Sequence, residues 1–282
     1  MQRPEVIKHM LRKISLLGID ITKAKKEEIL EYIFNSLKNS SHKYYIVTPN
    51  PEIVMYARSH PDYNQILNGA EISIPDGMGI TKAARILRNE SIERIGGTDF
   101  MEYVCRTAAN KPVSIGLLGA RDGVAEKAAE CLMKQYPGLN IVFVSDEWSE
   151  DGFGFRSKQK VVSSKYKVSS SNNKTASEEL HTTSYMLHTT IDILFVAYGA
   201  PKQEEWIAEN FEKLPVKIMM GVGGAFDYIS GVVPRAPKFI RNVGFEWLYR
   251  LIREPWRWKR QLDLIRFIFL VFEDRLQRKV TP

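Results

Sequence analysis

Six short runs of the chain are apolar without alternation: residues 44–48, 72–74, 113–118, 141–144, 191–198 and 216–220. A strand with one wet face alternates apolar and polar positions, so unbroken runs predict strands covered on both sides, as in a mostly parallel sheet. The runs tend to end in Gly, Pro or Asn, and segments with helical apolar spacing separate most of them. This predicts an α/β fold: a Rossmann-like, doubly wound, mostly parallel sheet with helices on both faces. After Thr48, Asn50 is placed to cap a helix over 52–68 with Pro51 at its first position, turning that helix end toward the rim of the sheet.

Two regions break the pattern. Residues 157–189 are rich in Ser, Thr, Lys and Asn, with too few spaced apolar positions to pack, and are expected to be mobile. After Gly231, VVPRAP reads as a linker from an α/β catalytic body (1–234) into a basic C-terminal helical appendage (235–282). That appendage holds 12 Lys or Arg against 5 Asp or Glu, so it carries the whole net charge of +7 and leaves a body of 28 against 28. Three of the five tryptophans, Trp247, Trp256 and Trp258, fall there too. Basic residues interleaved with aromatics suit an anionic membrane surface or a phosphate-rich ligand, and also nucleic acid. Arg250, Arg253, Arg257 and Arg260 recur at spacings of three and four, with Pro255 predicted to split the segment into two helices. The run 264–272 is too short to span a bilayer and is divided by Arg266, so it would dock on the body or lie in the interface.

At 282 residues, 44% hydrophobic and 26% charged, the chain is expected to be globular. Cys105 and Cys131 fit neither a disulfide framework nor a zinc site, the N-terminal stretch has no apolar leader core, and no run is long enough to span a membrane. A cytoplasmic protein, peripheral on the inner membrane face, is expected.

Candidate chemistry gathers at the predicted strand ends. PDGMG places Asp76 in a glycine-flanked turn after the run 72–74, where a sheet of this class presents reactive groups, with Gly77 allowing close approach of a substrate. Asp76 is a candidate general base, or else an Asx-turn or helix cap. ERIGGTDF offers Arg94, Thr98 and Asp99, of which Thr98 could simply cap a helix. GLLGARDG, with Gly119, resembles a phosphate-binding turn or a plain tight turn, and GVGGAFD supplies Gly223. YGAPKQEEW sets Lys202 and Gln203 at a helix start. The five histidines are scattered and no metal-ligand spacing, cofactor fingerprint or GxSxG elbow appears, which leaves a carboxylate base with cationic stabilisation of a leaving group and no cofactor.

Taken in order, TPNPE, LNGAEISIPDGMG, ERIGGTDF, GLLGARDG, YPGLNIV, FVAYGAPKQEEWI, GVGGAFDYISG, RAP and EWLYRLIREPWRWKR resemble the bacterial WecG/TagA/CpsF glycosyltransferase family over most of the chain. The polar stretch after Gly154 departs from the family's usual shorter connection. The resemblance implies a membrane-associated, inverting, metal-independent enzyme. Such an enzyme takes a sugar, typically N-acetylmannosamine, from a UDP-sugar donor and adds it to a lipid-diphosphate-linked acceptor, undecaprenyl-diphosphate N-acetylglucosamine. It implies Asp76 as the base and a donor and acceptor site built from Thr48, Asn50, Gly77, Arg94, Thr98, Asp99, Gly119, Gln203 and Gly223, with Arg235, Arg241, Arg250 and Arg253 of the appendage meeting the diphosphate. Another UDP-hexose or UDP-uronic acid fits the same motifs. A nucleic-acid-binding module is disfavoured by the neutral body, and a dinucleotide oxidoreductase by the missing fingerprint. Whether copies of the chain form a homo-oligomer is open.

Overall fold

A computed structural model describes residues 11–38, 42–147, 190–242, 244–253, 255 and 258–280. The polar stretch 157–189 lies outside the described residues. The centre is a six-stranded, wholly parallel sheet of β3 (Tyr44–Val47), β4 (Ile72–Ser73), β5 (Ser114–Gly119), β6 (Asn140–Ser145), β7 (Ile191–Ala197) and β8 (Val216–Gly221), in the order β4-β3-β8-β7-β5-β6. All six apolar runs are strands, and they are apolar throughout for the expected reason. Tyr44 and Ile46 enter one core while Tyr45 and Val47 enter the other, on the opposite face of the sheet.

The first core is closed by α1 (Lys26–Ser36), α5 (Gly97–Ala108), α6 (Val124–Gln135) and α8 (Ala225–Ile229). The second is closed by α2 (Pro51–Ser59), α3 (Pro61–Gly69), α4 (Met78–Arg88) and α7 (Lys202–Asn210). The helix expected over 52–68 is therefore two helices. Asn50 does cap the first, its side chain accepting from the Ile53 amide at 3.0 Å, but Pro61 has no N–H to continue the ladder and restarts the chain as α3 at His60.

A hairpin that the sequence reading did not place, β1 (Lys13–Leu16) and β2 (Ile19–Thr22), pairs antiparallel ahead of the sheet. Its turn has two positive φ residues, Leu17 at 54° and Gly18 at 88°, and leucine at the first of these hides the usual Asn-Gly signal. The hairpin protects the two-residue edge strand β4, because Thr22 Oγ1 accepts from the Ser73 amide at 2.9 Å.

Beyond residue 234 lie α9 (Lys238–Asn242), α10 (Glu246–Arg253) and α11 (Trp258–Val280), the last two on either side of Pro255 as expected. α11 packs on α2 and α4, burying Phe267 (2% exposed) and Val271 in the second core, so the run 264–272 docks on the body. The opposite face of α11 is bare: Ile265, Phe269, Phe272 and Leu276 recur at helical spacing and Phe269 is 71% exposed. No helix among the described residues is long and apolar enough to cross a membrane.

Phe267→Ala is expected to destabilise the protein by about 3–5 kcal/mol, the usual range for emptying a buried phenylalanine site. Phe269→Ala, on the same helix, should stay within about 0.5 kcal/mol. Urea unfolding of the two variants measures the difference, and equal values would contradict this docking of α11.

Candidate active site

The C-terminal ends of β4, β3, β8, β7 and β5 open into one cleft of about 860 Å³. β3 and β8 are neighbours, yet their outgoing segments, α2 and α8, cross to opposite faces of the sheet. Such a divergence leaves a crevice at the strand ends, the usual ligand position in open α/β sheets.

Asp76 lines this cleft, just past the end of β4. Its turn is pinned from both sides: the Asp76 amide donates to Pro49 O (3.0 Å) and the Ile95 amide to Pro75 O (3.0 Å). Gly77 takes φ +86°, which a side chain would resist, and leads directly into α4. Pro51 packs so closely on Gly79 that a Cβ there would collide with its ring. The C-terminal segment closes on the same turn, Met78 lying where a Cβ on Gly244 would be and the Phe267 ring 3.6 Å from where one on Gly79 would be.

Asp76 is half-buried at the cleft floor, and protein atoms crowd its carboxyl. That desolvation is the main cause raising its pKa to about 6; Glu246 and Asp99 add to the rise, while the Gly97 amide hydrogen bond and Arg94 oppose it. Asp76 is thus a carboxylate made more basic than usual and still ionised at neutral pH.

Thr48, Asn50, Gly77, Arg94, Thr98, Gln203, Gly223 and Arg235 line the cleft with it. Thr48 also reaches Gly221 O at 3.4 Å and Asn50 is spent on its cap. Gln203 is 2% exposed, its amide tied to the Gly223 N–H (2.9 Å) and to Glu204 (2.7 Å). Gly119 ends β5 at φ +101° behind the lining, which here consists of Ala120 and Arg121.

Asp99 is not in the cleft wall. It holds Arg235 through two bonds of 2.8 Å each and Arg241 at 2.9 Å, so it anchors two C-terminal arginines rather than facing the cleft. Arg235 also approaches Glu102 (3.8 Å) and Glu246 (3.5 Å); its burial lowers its pKa, but Asp99 above all, with Glu246 and Glu102, outweighs that and raises it. Arg241 is not among the residues that line the cleft; it is linked to Arg235 in the wall through their shared partner Asp99. Arg253 is exposed and lies over the Tyr249 ring, 5.5 Å from its centroid, away from the cleft. Arg250 belongs to α10, and Arg257 lies outside the described residues.

Sequence reasoning missed Glu246, which arrives from α10 and acts on Asp76 across about 170 residues of chain. It also missed Arg121 at the mouth, paired with Asp227 at 3.4 Å, and the tyrosines Tyr56, Tyr63 and Tyr198 in the wall. No local spacing marks any of these; only the fold assembles them. Among the described residues no group of three His, Cys, Asp or Glu is arranged to hold a metal ion.

The model of the glycosyl transferase WecG/TagA/CpsF family matches residues 14–281. The chain belongs to this family of glycosyltransferases. Among its relatives is the N-acetylglucosaminyldiphosphoundecaprenol N-acetyl-beta-D-mannosaminyltransferase of Staphylococcus aureus (strain MRSA252), 32% identical over 249 residues, 88% of this chain and 86% of that one. The Bacillus subtilis (strain 168) protein of the same name is 30% identical over 234 residues, 83% and 81% of the two chains.

In this glycosyltransferase, the raised pKa of Asp76 makes its ionised form a liability to folding. Below the unfolded value of 3.8 the carboxyl is neutral in both states, and as pH rises through about 6 the folded protein loses the stability that the neutral form had provided. Asp76→Asn, which can still accept from the Gly97 amide, is therefore expected to melt like the parent near pH 4 and above it at pH 7–8. Thermal melts of both proteins across this range measure the gap; a gap that closes as pH rises would contradict the site's electrostatics.

Proposed function

We propose that this glycosyltransferase moves N-acetylmannosamine from UDP-N-acetylmannosamine to undecaprenyl-diphosphate-linked N-acetylglucosamine, with inversion. The observation that carries the reading is the Asp76 carboxylate at the cleft floor, its pKa raised chiefly by desolvation, with Arg94 beside it and Arg235 in the wall. The names of the relatives supply the acceptor and the transferred sugar; the family resemblance supplies the UDP carrier.

In this reading Asp76 takes the proton of the acceptor hydroxyl as its oxygen bonds to the anomeric carbon, and the bond from that carbon to the diphosphate breaks on the opposite side. The departing UDP takes the electron pair, and Arg94, Arg235 and Arg241 offset its negative charge. Thr48, Asn50, Gly77, Thr98 and Gly223 shape the pocket around the sugars and nucleotide.

The enzyme would meet its lipid-borne acceptor at the anionic inner face of the cell membrane. Supporting this is the bare apolar face of α11, together with exposed Phe239, Phe245, Trp247, Ile252 and Trp258 in the same C-terminal segment, more exposed apolar side chain than soluble surfaces usually leave. Basic residues near such a surface each add about 1 kcal/mol of attraction, weakened by salt.

Asp76→Asn should fold, bind UDP and turn over at least about 100-fold more slowly, the scale of general-base catalysis. The parent rate should rise with pH through about 6 and then level, since only the ionised base accepts a proton. Mass spectrometry of the product from a soluble acceptor analogue and a panel of UDP-sugars tests the donor. Near-parental turnover by folded Asp76→Asn would refute the role of the base.

Changing Ile265, Phe269 and Phe272 together to Ser should release the enzyme from anionic vesicles, at least tenfold in partitioning, while activity on a soluble acceptor persists. Flotation with phosphatidylglycerol vesicles at low and high salt measures this. Unchanged flotation would show that α11 does not meet the bilayer.

A further inference from the structure

Glu204, in α7, is fully buried (0% exposed) behind the cleft wall rather than in it. Its two oxygens are both taken: the Tyr63 hydroxyl donates to Oε2 at 3.0 Å and Gln203 Nε2 donates to Oε1 at 2.7 Å. Gln203 Oε1 in turn accepts from the Gly223 amide at 2.9 Å. The amide group crosses β8 where Gly221 has no side chain, since a Cβ there would sit 2.8 Å from Gln203 Nε2. Tyr63, Gln203 and Gly223 all line the cleft, so this chain of bonds runs beneath its wall from α3 to the 222–224 turn.

The orientation of Gln203 follows from what each neighbour can do. An ionised carboxylate only accepts and a backbone N–H only donates, so the amide must turn Nε2 to Glu204 and Oε1 to Gly223. A protonated Glu204 becomes a donor on one oxygen. On Oε2 its proton forces the Tyr63 hydroxyl to turn from donating to accepting, and on Oε1 it opposes Gln203 Nε2, where an amide that flips to receive it presents two hydrogens to the Gly223 N–H.

We propose that Glu204 is a positioning residue for donor binding: ionised and held by Tyr63, it locks the Gln203 amide and thereby the glycine turn 222–224 in its binding shape. The proposal rests on reading the cleft as a nucleotide-sugar site. Burial is the main influence on Glu204 and lifts its pKa to about 7, against the hydrogen bonds from Gln203, Tyr63 and its own amide, with Glu205 adding to the rise. The titratable groups around it are Glu205 on α7 and Tyr63 on α3, with Tyr56 of α2 stacked on His60 behind, and Tyr45 of β3 against Phe211 at the far end of α7. The lock therefore engages as pH rises through neutrality.

The test is calorimetric binding of UDP-N-acetylmannosamine, whose doubly esterified diphosphate does not titrate there, from pH 6 to 8.5. The parent should tighten roughly tenfold with a midpoint near 7, the scale of one hydrogen bond to a charged group. Glu204→Gln, which offers a donor at every pH as the protonated acid does, should bind roughly tenfold more weakly at pH 8 and show no step near 7. Tyr63→Phe removes a donor to the carboxylate, so its step should move to higher pH. Any titration of Asp76 is common to all three proteins and drops out of the comparison. If Glu204→Gln fails to fold, the parent's step and its displacement in Tyr63→Phe decide the matter. Donor binding without a step, or parental affinity in Glu204→Gln at pH 8, overturns the positioning role alone. A parent that binds no donor at any pH overturns the donor-site reading and this role with it.

Discussion

A carboxylate kept short of water has to be held there by something. Left alone, Asp76 would either recruit solvent or stay protonated, and neither serves a base. The structure meets this with a balance. Desolvation, Glu246 and Asp99 press toward the neutral form, while Arg94 and the Gly97 amide press toward the ionised one, and the outcome is a group that ionises near pH 6. Much of the surrounding architecture follows from this balance. The turn around Asp76 is tied to Pro49 and to the 95–97 segment, Gly77 adopts a left-handed backbone, and the C-terminal segment presses on Met78 and Gly79 from above.

The arginines obey a related constraint. A guanidinium in a partly buried site needs a partner, because an uncompensated charge there is costly. Asp99 supplies it: one carboxylate holds Arg235 in a two-point grip and Arg241 by a third bond. The cost is that Asp99 adds negative charge near Asp76, which contributes to the raised pKa of that carboxyl. Acid and cation at this end of the cleft are thus coupled, and an anion drawing the arginines would change the field felt by Asp76.

The parts of this arrangement that were legible in the sequence were those encoded locally. Unbroken apolar runs marked all six sheet strands because both faces of each are covered, and Asn50-Pro51 marked a helix start because capping and a missing N–H act within one turn. The break at Pro61 was equally local and was overridden by the apolar periodicity that continues through α2 and α3. The hairpin escaped because Leu17 occupies a position that usually signals itself through Asn or Gly. Of the site, the glycine-rich strand ends were visible. Glu246, Tyr63 and Glu204 were not, since their roles come from partners about 140 to 170 positions away that only the closed fold brings near. Asp99 was found by its motif, but its grip on Arg235 could not be, for the same reason.

α11 joins the two ends of the problem. Its inner face enters the second core through Phe267 and Val271, and the Phe267 ring lies against Gly79, three residues from Asp76. Its outer face is apolar and bare. A helix with two apolar faces has no stable resting place in water alone: one face is satisfied by the body, the other needs a partner. If that partner is the bilayer, the surface that receives the lipid acceptor also presses the helix that buttresses the Asp76 turn. Membrane contact and support of the Asp76 turn would then share one rigid element, its inner face holding the turn through Phe267 whether or not its outer face is covered.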